Sequence, residues 1–598
     1  MRTILNRELH LPNGAHGAPY NDFSVLDPLN QPLIDLHLSD LAGTAVVNTG
    51  MAPITLILPL IVSLVISMAV IPVMVRLAPR LGMIDKPDPR KVHAIPIPRV
   101  GGVGIVLGAL LPVMLLLPLD PSLKAYIFGA LVLFGFGVMD DCRELGHYVK
   151  FIGQFIAVIA VVYYGDVFVT HLPFMGGEPV SAAVGRPFTV FAMVGMINAI
   201  NHSDGLDGLA GGESMLSLAG IAYLSYLAGG TTVTLIAFAT IGGLFGFMRF
   251  NTHPARIFMG DGGSQFLGYT LGFLAVLLTQ QVNPALSPAL PALLLGLPIA
   301  DIIGVFVQRI YHGMNWFRAS KNHIHHRLLN LGFQHYESVV IVYSVQALLV
   351  FCAVLMPYEA DALILGIYAV VVAAVFGFLY AAERIGWRRR MAGDRASVEG
   401  FFHSVRQSPR LLSVAYGVVF VGIPVFMVIG AFTATMIPAD FTRAAIVLFV
   451  LLLLRLLAGY RLSFLPLRLV VYVAIVFVVY LTNTYQPDYL AGTDPVTYAF
   501  FGVLITGIAL TIRYANGGGF NVTPMDFLVV MAVLALAEMA NEGMVDASMT
   551  AVALKTIILF YGAELILGRM KQRWNLFTVS VLASLLVIGV RGVMANFV

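Results

Sequence analysis

Long apolar stretches follow one another along this chain almost without interruption, each closed by a short polar segment. They open near Ile54, Gly101, Lys124, Phe151, Phe188, Gly211, Thr232, Ser264, Leu290, Val339 and Ala362. They resume near Leu411, Phe441, Pro466, Pro495, Pro524, Thr550 and Phe577. Crossing a bilayer as a helix takes roughly 20 apolar residues. Backbone groups in lipid must find hydrogen bonds within their own segment, which favours helices throughout. The pattern therefore predicts an all-α, polytopic integral membrane protein of about 18 transmembrane helices, the first 11 forming one bundle.

Composition agrees. The 598 residues are 59% hydrophobic and 11% charged, which fits a polytopic membrane protein better than a soluble globule. Cys142 and Cys352 lie too far apart for a disulfide framework or a metal knuckle. Residues 1–50 differ from the rest: Arg2 and Arg7 oppose Glu8, Asp22, Asp27, Asp35 and Asp40, among Asn, Pro and Gly. That segment reads as a poorly ordered polar tail without a signal-peptide pattern. Translation from Met51 is the alternative.

Positive charge alternates from loop to loop. One set carries Arg76 to Arg99, then Arg143 and Lys150, Arg249 and Arg256, Arg309 to Arg327, Arg384 to Arg410, and later Arg455 to Arg468, Arg513 and Arg569 to Arg573. The opposite set has little beyond Lys124, Arg186 and Arg443. The positive-inside rule places the rich set in the cytoplasm and both termini outside. The basic stretch 386–410 then reads as a cytoplasmic linker between a membrane domain at 51–385 and a C-terminal membrane domain at 411–598 of about seven helices.

Every motif with chemical character falls on the cytoplasmic side. Asp140 and Asp141 end the third span; adjacent carboxylates suit a base or a hard-cation ligand, although a solvated helix end is common for such a pair. Lys150, nearby, is either an anchor or a phosphate contact. Asn201, Asp204 and Asp207 recur at spacing three within Asn198–Gly208, so they share one helical or turn face. Such groups at membrane depth are costly and usually functional. Gly260-Asp261-Gly262-Gly263-Ser264 combines glycines for close approach to an anion, a capping serine and a carboxylate suited to Mg²⁺. His323, His325, His326 and Arg327 follow the ninth span. Zinc is the rival reading there, but no cysteine is near and hard oxygen ligands dominate elsewhere, so a diphosphate clamp is favoured. Lys86, Arg90, Lys91 and His93 lie in a proline-stiffened basic loop fit for a lipid phosphate headgroup or a membrane anchor.

Taken in order, Lys86-Pro87, Arg90-Lys91-Val92-His93, Pro98 to Gly102, Asp140-Asp141, Asn198 to Gly208, Gly260 to Ser264 and His323 to Arg327 resemble the polyprenyl-phosphate N-acetylhexosamine-1-phosphate transferases of glycosyltransferase family 4. The resemblance covers about residues 51–385 and is of the WecA type, since MraY-type members carry three adjacent histidines before an acidic residue. It implies about ten or eleven helices around a cytoplasmic cleft in a bacterial inner membrane. It implies Mg²⁺, replaceable by Mn²⁺, on Asn201 and Asp261. Asp140, Asp141, Asp204 and Asp207 become catalytic candidates. Gly260, Ser264, His323, His325, His326 and Arg327 would serve the donor phosphates and nucleotide, and Lys86, Arg90, Lys91, His93 and Lys150 the lipid phosphate. The implied partners are a UDP-N-acetylhexosamine, undecaprenyl phosphate and membrane lipid, with no nucleic acid, and a homodimer is compatible. Two departures stand out. Ser320 occupies a position where the family often has an acidic residue, and residues 411–598 extend beyond the usual family length. A transporter or flippase of lipid-linked sugars is the rival class. Its sites would lie near the bilayer midplane in repeated halves, and these motifs neither repeat nor lie there, so that reading survives only for the C-terminal region.

Overall fold

The computed structural model describes residues 53–87, 95–143, 145–314, 322–388, 409–458, 467–485, 494–514, 547–569 and 575–596. Among these residues there are 19 α-helices and one two-stranded ribbon. Ten of the helices are long and apolar enough to cross a membrane. The chain is a polytopic membrane protein. The segments that carry Arg90, Lys91, His93, Ser320 and the polar tail lie outside the described residues.

Helix α1 (Pro53–Leu81) leads into the ribbon β1 (Ile84–Asp85) and β2 (Ile97–Pro98), which pair antiparallel with Ile84 opposite Pro98. The ribbon was not anticipated in the basic loop. An ion pair between Asp85 and Arg99 closes it. Helices α2 (Gly101–Leu116), α3 (Pro121–Arg143) and α4 (His147–Ile159) follow, the last extended by a π-turn at Ala160–Tyr164. Next come α5 (Ala182–Ser203), α6 (Leu209–Leu227), α7 (Thr231–Asn251) and α8 (Gly260–Leu277).

The span expected from Leu290 is broken into α9 (Pro291–Leu294) and α10 (Gly296–Tyr311). Pro298, early in α10, cannot donate a backbone hydrogen bond. The Leu297 N–H freed at this break is taken by the buried Gln346 side chain at 3.0 Å, so the irregular backbone is satisfied inside the protein. The histidine motif forms the short helix α11 (Ile324–Asn330). Helices α12 (His335–Leu355) and α13 (Asp361–Arg384) complete the first group. Beyond it lie α14 (Pro409–Thr433), α15 (Ala439–Ala458), α16 (Leu467–Thr484), α17 (Asp494–Tyr514), α18 (Ala547–Arg569) and α19 (Leu576–Asn596).

Buried apolar side chains fall into two clusters. One gathers residues from Ile71 to Ala382, and the other gathers residues from Val419 to Ile588 together with Met68. Helix α1 thus contributes to both.

Between apolar helices lipid supplies no hydrophobic drive, so association relies on close packing of small residues and interhelical hydrogen bonds. Helix α1 uses both: Ser67 donates to the Gly243 carbonyl of α7 at 2.9 Å, and Ser63 donates to that of Ala239. The same device brings α3 onto α8. A side chain on Gly137 would run into the backbone of Gly262, whereas Gly135, two residues earlier, faces open space.

Alanine at Gly137 should therefore lower thermal stability in detergent, by about 1–3 kcal/mol as overpacking. Alanine at Gly135 should be neutral, or stabilising by up to about 1 kcal/mol from helix propensity. Equal melting temperatures for the two variants would sink the close-approach account.

Candidate active site

The polar motifs meet at one end of the first helix group. Asp140 and Asp141 arrive on the last turn of α3, Lys150 on the first turn of α4, Asn201 on the last turn of α5, and Asp261 on the first turn of α8. The centre is Lys150. Its ammonium lies 2.7 Å from Asp140 Oδ2 and 2.6 Å from Asp261 Oδ2. Asn201 Nδ2 donates to Asp261 Oδ1 at 3.2 Å and to Ser264 Oγ at 2.9 Å.

The two adjacent carboxylates do different things. Asp140 Oδ1 accepts the Leu145 N–H at 2.6 Å, and its other oxygen holds Lys150. Asp141 accepts the backbone N–H of Asp261 at 3.0 Å and of Gly262 at 3.2 Å, one on each oxygen. It thereby caps the start of α8 from outside the helix, where unpaired N–H groups and the helix dipole favour an anion. Gly260 makes this possible. Its φ is +74°, a region that favours glycine, and a side chain there would run into the Asp141 carboxylate.

The loop after α5 is pinned from three directions. Gly208 N–H donates to Asn251 Oδ1 at 2.8 Å, Tyr343 O–H donates to the Gly208 carbonyl, and Asp207 Oδ2 accepts the Ala255 N–H at 3.0 Å. Asp207 Oδ2 also lies 2.7 Å from His253 Nδ1 and 4.0 Å from His335 Nε2. Burial alone would raise the Asp207 carboxyl, but the hydrogen bonds from His253 and Ala255 and the His335 imidazole hold it below the usual carboxylate range. Asp204 is pushed up to about 7, first by burial and then by the nearby Asp261 and Asp207 charges.

Asp207, His253 and His335 have the composition of a transition-metal site, with ligand atoms within 4.8 Å of one another. The two rings, however, stack 4.1 Å apart at an interplanar angle of only 21°. A metal sits near the plane of each ring that binds it, and planes stacked this way do not converge on one ion. The cluster reads better as a latch that ties the α5–α6 loop, the α7–α8 loop and the start of α12 together.

The histidine helix is fixed by two carboxylates that sequence reasoning did not single out. Asp301 on α10 accepts the Ile324 N–H at 2.8 Å and lies 2.7 Å from His323 Nδ1. Glu383 on α13 takes the Arg327 fork at 2.7 and 2.8 Å. The rings of His202, His323, His325 and His326 lie next to one another, with centroids 5.3, 5.7 and 4.2 Å apart in that order. His325 packs on Gly205, where a side chain would run into its ring. Its Nε2 is buried without a hydrogen-bond partner among the described residues. Burial, and then the neighbouring His326, push this imidazole down to about 3, so it is neutral at physiological pH. Lys86 is exposed beside the ribbon.

Residues 123–279 match the family described as glycosyl transferase family 4. A Bacillus subtilis (strain 168) protein named probable undecaprenyl-phosphate N-acetylglucosaminyl 1-phosphate transferase is 32% identical over 296 residues, covering 49% of this chain and 82% of the relative. The chain belongs to glycosyl transferase family 4. Over about half its length it is WecA-like. Proteins named undecaprenyl-phosphate alpha-N-acetylglucosaminyl 1-phosphate transferase are 28% identical over 290 residues in Escherichia coli (strain K12), covering 48% of this chain and 79% of the relative. In Haemophilus influenzae the figures are 27% over 329 residues, 53% and 93%. The family match takes in Asp140, Asp141, Lys150, Asn201, Asp204, Asp207, Asp261 and Ser264, and it ends before the histidine helix that this family member packs against them.

One missed residue carried a visible signal. Asp301 is a charge inside an apolar run, which marks function or pairing by default. His253, His335 and Glu383 sit at helix ends, where charge is cheap, and nothing local sets them apart.

The depressed Asp207 carboxyl makes an acid-stability prediction. A group with a lowered folded-state pKa adds stability above its unfolded value, near 3.9, and that stability is lost as pH falls through the folded value. Wild type should lose more thermal stability than Asp207→Asn on going from pH 6 to about pH 3. Parallel losses in the two proteins would show that the latch contributes nothing through its charge.

Proposed function

We propose that residues 51–385 transfer N-acetylhexosamine 1-phosphate, with GlcNAc the leading sugar, from a UDP-sugar to undecaprenyl phosphate, releasing UMP. The observation that carries this reading is the Lys150 bridge between Asp140 and Asp261, with Asn201 and Ser264 beside it. A cation gathered with carboxylates where three helix ends meet supports phosphate handling, and the relatives are named for that chemistry.

An oxygen of the lipid phosphate attacks the sugar-linked phosphorus. That P–O bond forms as the bond to UMP breaks, and UMP leaves with the electron pair. A phosphate monoester has a second pKa near 6, so the acceptor is largely dianionic at neutral pH and needs little help from a base. Asp140 and Asp141 both have their oxygens engaged. This favours direct attack over a covalent aspartyl intermediate. Asp140 holds Lys150 toward the phosphates, Asp141 fixes the start of α8, and Asp204 and Asp207 shape the nucleotide side.

Asp261 and Asn201 would hold Mg²⁺, or Mn²⁺ in its place. The donor set fits: hard oxygens predominate, and Asn201 spends its amide N–H groups on Asp261 and Ser264, which leaves its carbonyl oxygen for a cation. When bound, Mg²⁺ offsets charge on the donor diphosphate. His323, His325 and His326, with Gly260 and Ser264, line the donor side. Arg327, engaged by Glu383, serves first to hold this helix in place. Lys86, Arg90, Lys91 and His93 offer positive charge to the lipid headgroup.

The chain would lie in a bacterial cytoplasmic membrane as about 18 spans with this site facing the cytoplasm. The region 411–598 is read as a C-terminal membrane domain beyond the 386–410 linker, with Met68 of α1 packed into its core. A transport role is kept for that region alone, because the polar groups of 51–385 gather at helix ends and not on broken helices at mid-membrane.

The test is UMP release by the purified full chain in lipid, given undecaprenyl phosphate and a panel of UDP-N-acetylhexosamines, with Mg²⁺ or with chelator. Turnover should need lipid phosphate and metal, and Asp261→Ala should abolish it. Lys150→Gln should cost about 10²-fold or more, as for loss of an electrostatic stabiliser. No turnover from folded protein with any donor would overturn the assignment.

A further inference from the structure

Behind Asp261 runs a line of amides outside every motif except Asn198. Asn198 Nδ2 donates to the Val194 carbonyl at 2.8 Å and to Gln154 Oε1 at 2.9 Å. Gln154 Nε2 donates to Gln265 Oε1 at 3.3 Å, and Gln265 Nε2 donates to Asp261 Oδ2 at 3.4 Å. Gln154 and Gln265 are 2% and 1% exposed. Three helices, α4, α5 and α8, each supply a member.

The ends of this line set its polarity. An ionised carboxylate only accepts, so Gln265 must turn its N–H₂ to Asp261 and its oxygen to Gln154. Gln154 must then present N–H₂ to Gln265 and oxygen to Asn198. Asn198 must donate, and its second N–H meets a backbone carbonyl, which also only accepts. Each of the three amides has one orientation that satisfies the whole line, and the structure holds all three in it. A purely space-filling role would not demand this agreement. Buried amides have no water to fall back on, so reversing one forces its neighbour to reverse.

We propose that Gln154 and Gln265 are positioning residues: the amide line from Val194 through Asn198 fixes the Asp261 carboxylate, with Oδ1 toward Asn201 and Oδ2 toward Lys150, and thereby sets the affinity of the site for a divalent cation. The proposal rests on the reading that Asp261 takes that cation. Groups that orient a metal ligand from behind typically cost 10–100-fold in metal affinity when replaced.

Gln154→Leu breaks the line at its middle: it can neither accept from Asn198 nor donate to Gln265, so nothing holds the Gln265 amide with its N–H₂ toward Asp261. Mn²⁺ binding to the full chain in lipid, read by electron paramagnetic resonance of free Mn²⁺, should weaken about 10-fold or more in Gln154→Leu and in Gln265→Leu. Turnover in both should need more Mg²⁺ for half-activation and should recover toward wild type when Mg²⁺ saturates. Gln346→Leu removes a buried amide elsewhere, one that bonds Ser217, the Leu294 carbonyl and the Leu297 N–H. It should lower the melting temperature and leave Mn²⁺ affinity unchanged. Wild-type affinity in Gln154→Leu and Gln265→Leu, with Asp261→Asn losing Mn²⁺, overturns the relay alone. Equal weakening in Gln346→Leu also overturns it, since the effect would then be general loosening. Wild-type Mn²⁺ binding by Asp261→Asn overturns the metal placement beneath it.

Discussion

Three carboxylates and one ammonium have to share the mouth of a helix bundle that is otherwise almost wholly apolar. Carboxylates brought this close repel, and burial makes the repulsion worse. The structure meets the problem with one cation and one helix N-terminus. Lys150 stands between Asp140 and Asp261. The N-terminus of α8, with its unpaired N–H groups, takes both oxygens of Asp141. The rest of the site depends on this arrangement, because it holds the ends of α3, α4 and α8 at hydrogen-bond distance.

That arrangement in turn needs backbones that approach more closely than side chains allow. Gly137 of α3 lies on Gly262, and Gly102 of α2 lies on Gly263. The Gly101 and Gly102 N–H groups bond the carbonyls of Phe258 and Met259 at 2.9 and 2.8 Å. The glycines of the Gly260–Ser264 segment were read from sequence as a cradle for an anion. At Gly262 and Gly263 the structure gives them a nearer task, which is to let two helices reach the start of α8. The anion that α8 meets first is Asp141 of the protein itself.

A second layer ties the histidine helix to this core. Asp301 holds its start and Glu383 holds Arg327 at its middle, and Gly205 receives the ring of His325. The Asp207–His253–His335 latch fixes the neighbouring loop. These contacts cross between elements far apart in sequence.

The sequence by itself determined that the chain is a bundle of membrane helices and that its chemistry gathers at helix ends, because lipid imposes length and apolarity on every span and makes each polar interruption conspicuous. It also marked Asp140, Asp141, Lys150, Asn201 and Asp261, since the polar motifs stand out against apolar surroundings. What each residue touches was decided only by tertiary structure. Asp140 and Asp141 are neighbours of one type in sequence, yet one holds a lysine and the other caps a helix that starts about 120 positions further on. Arg327 is written beside the histidines but is bound by Glu383. Gln154 and Gln265 look like ordinary amides in apolar helices until packing sets them in line behind Asp261. The physical reason is the same in each case. Partners across helices are chosen by crossing geometry and burial, which local periodicity does not encode.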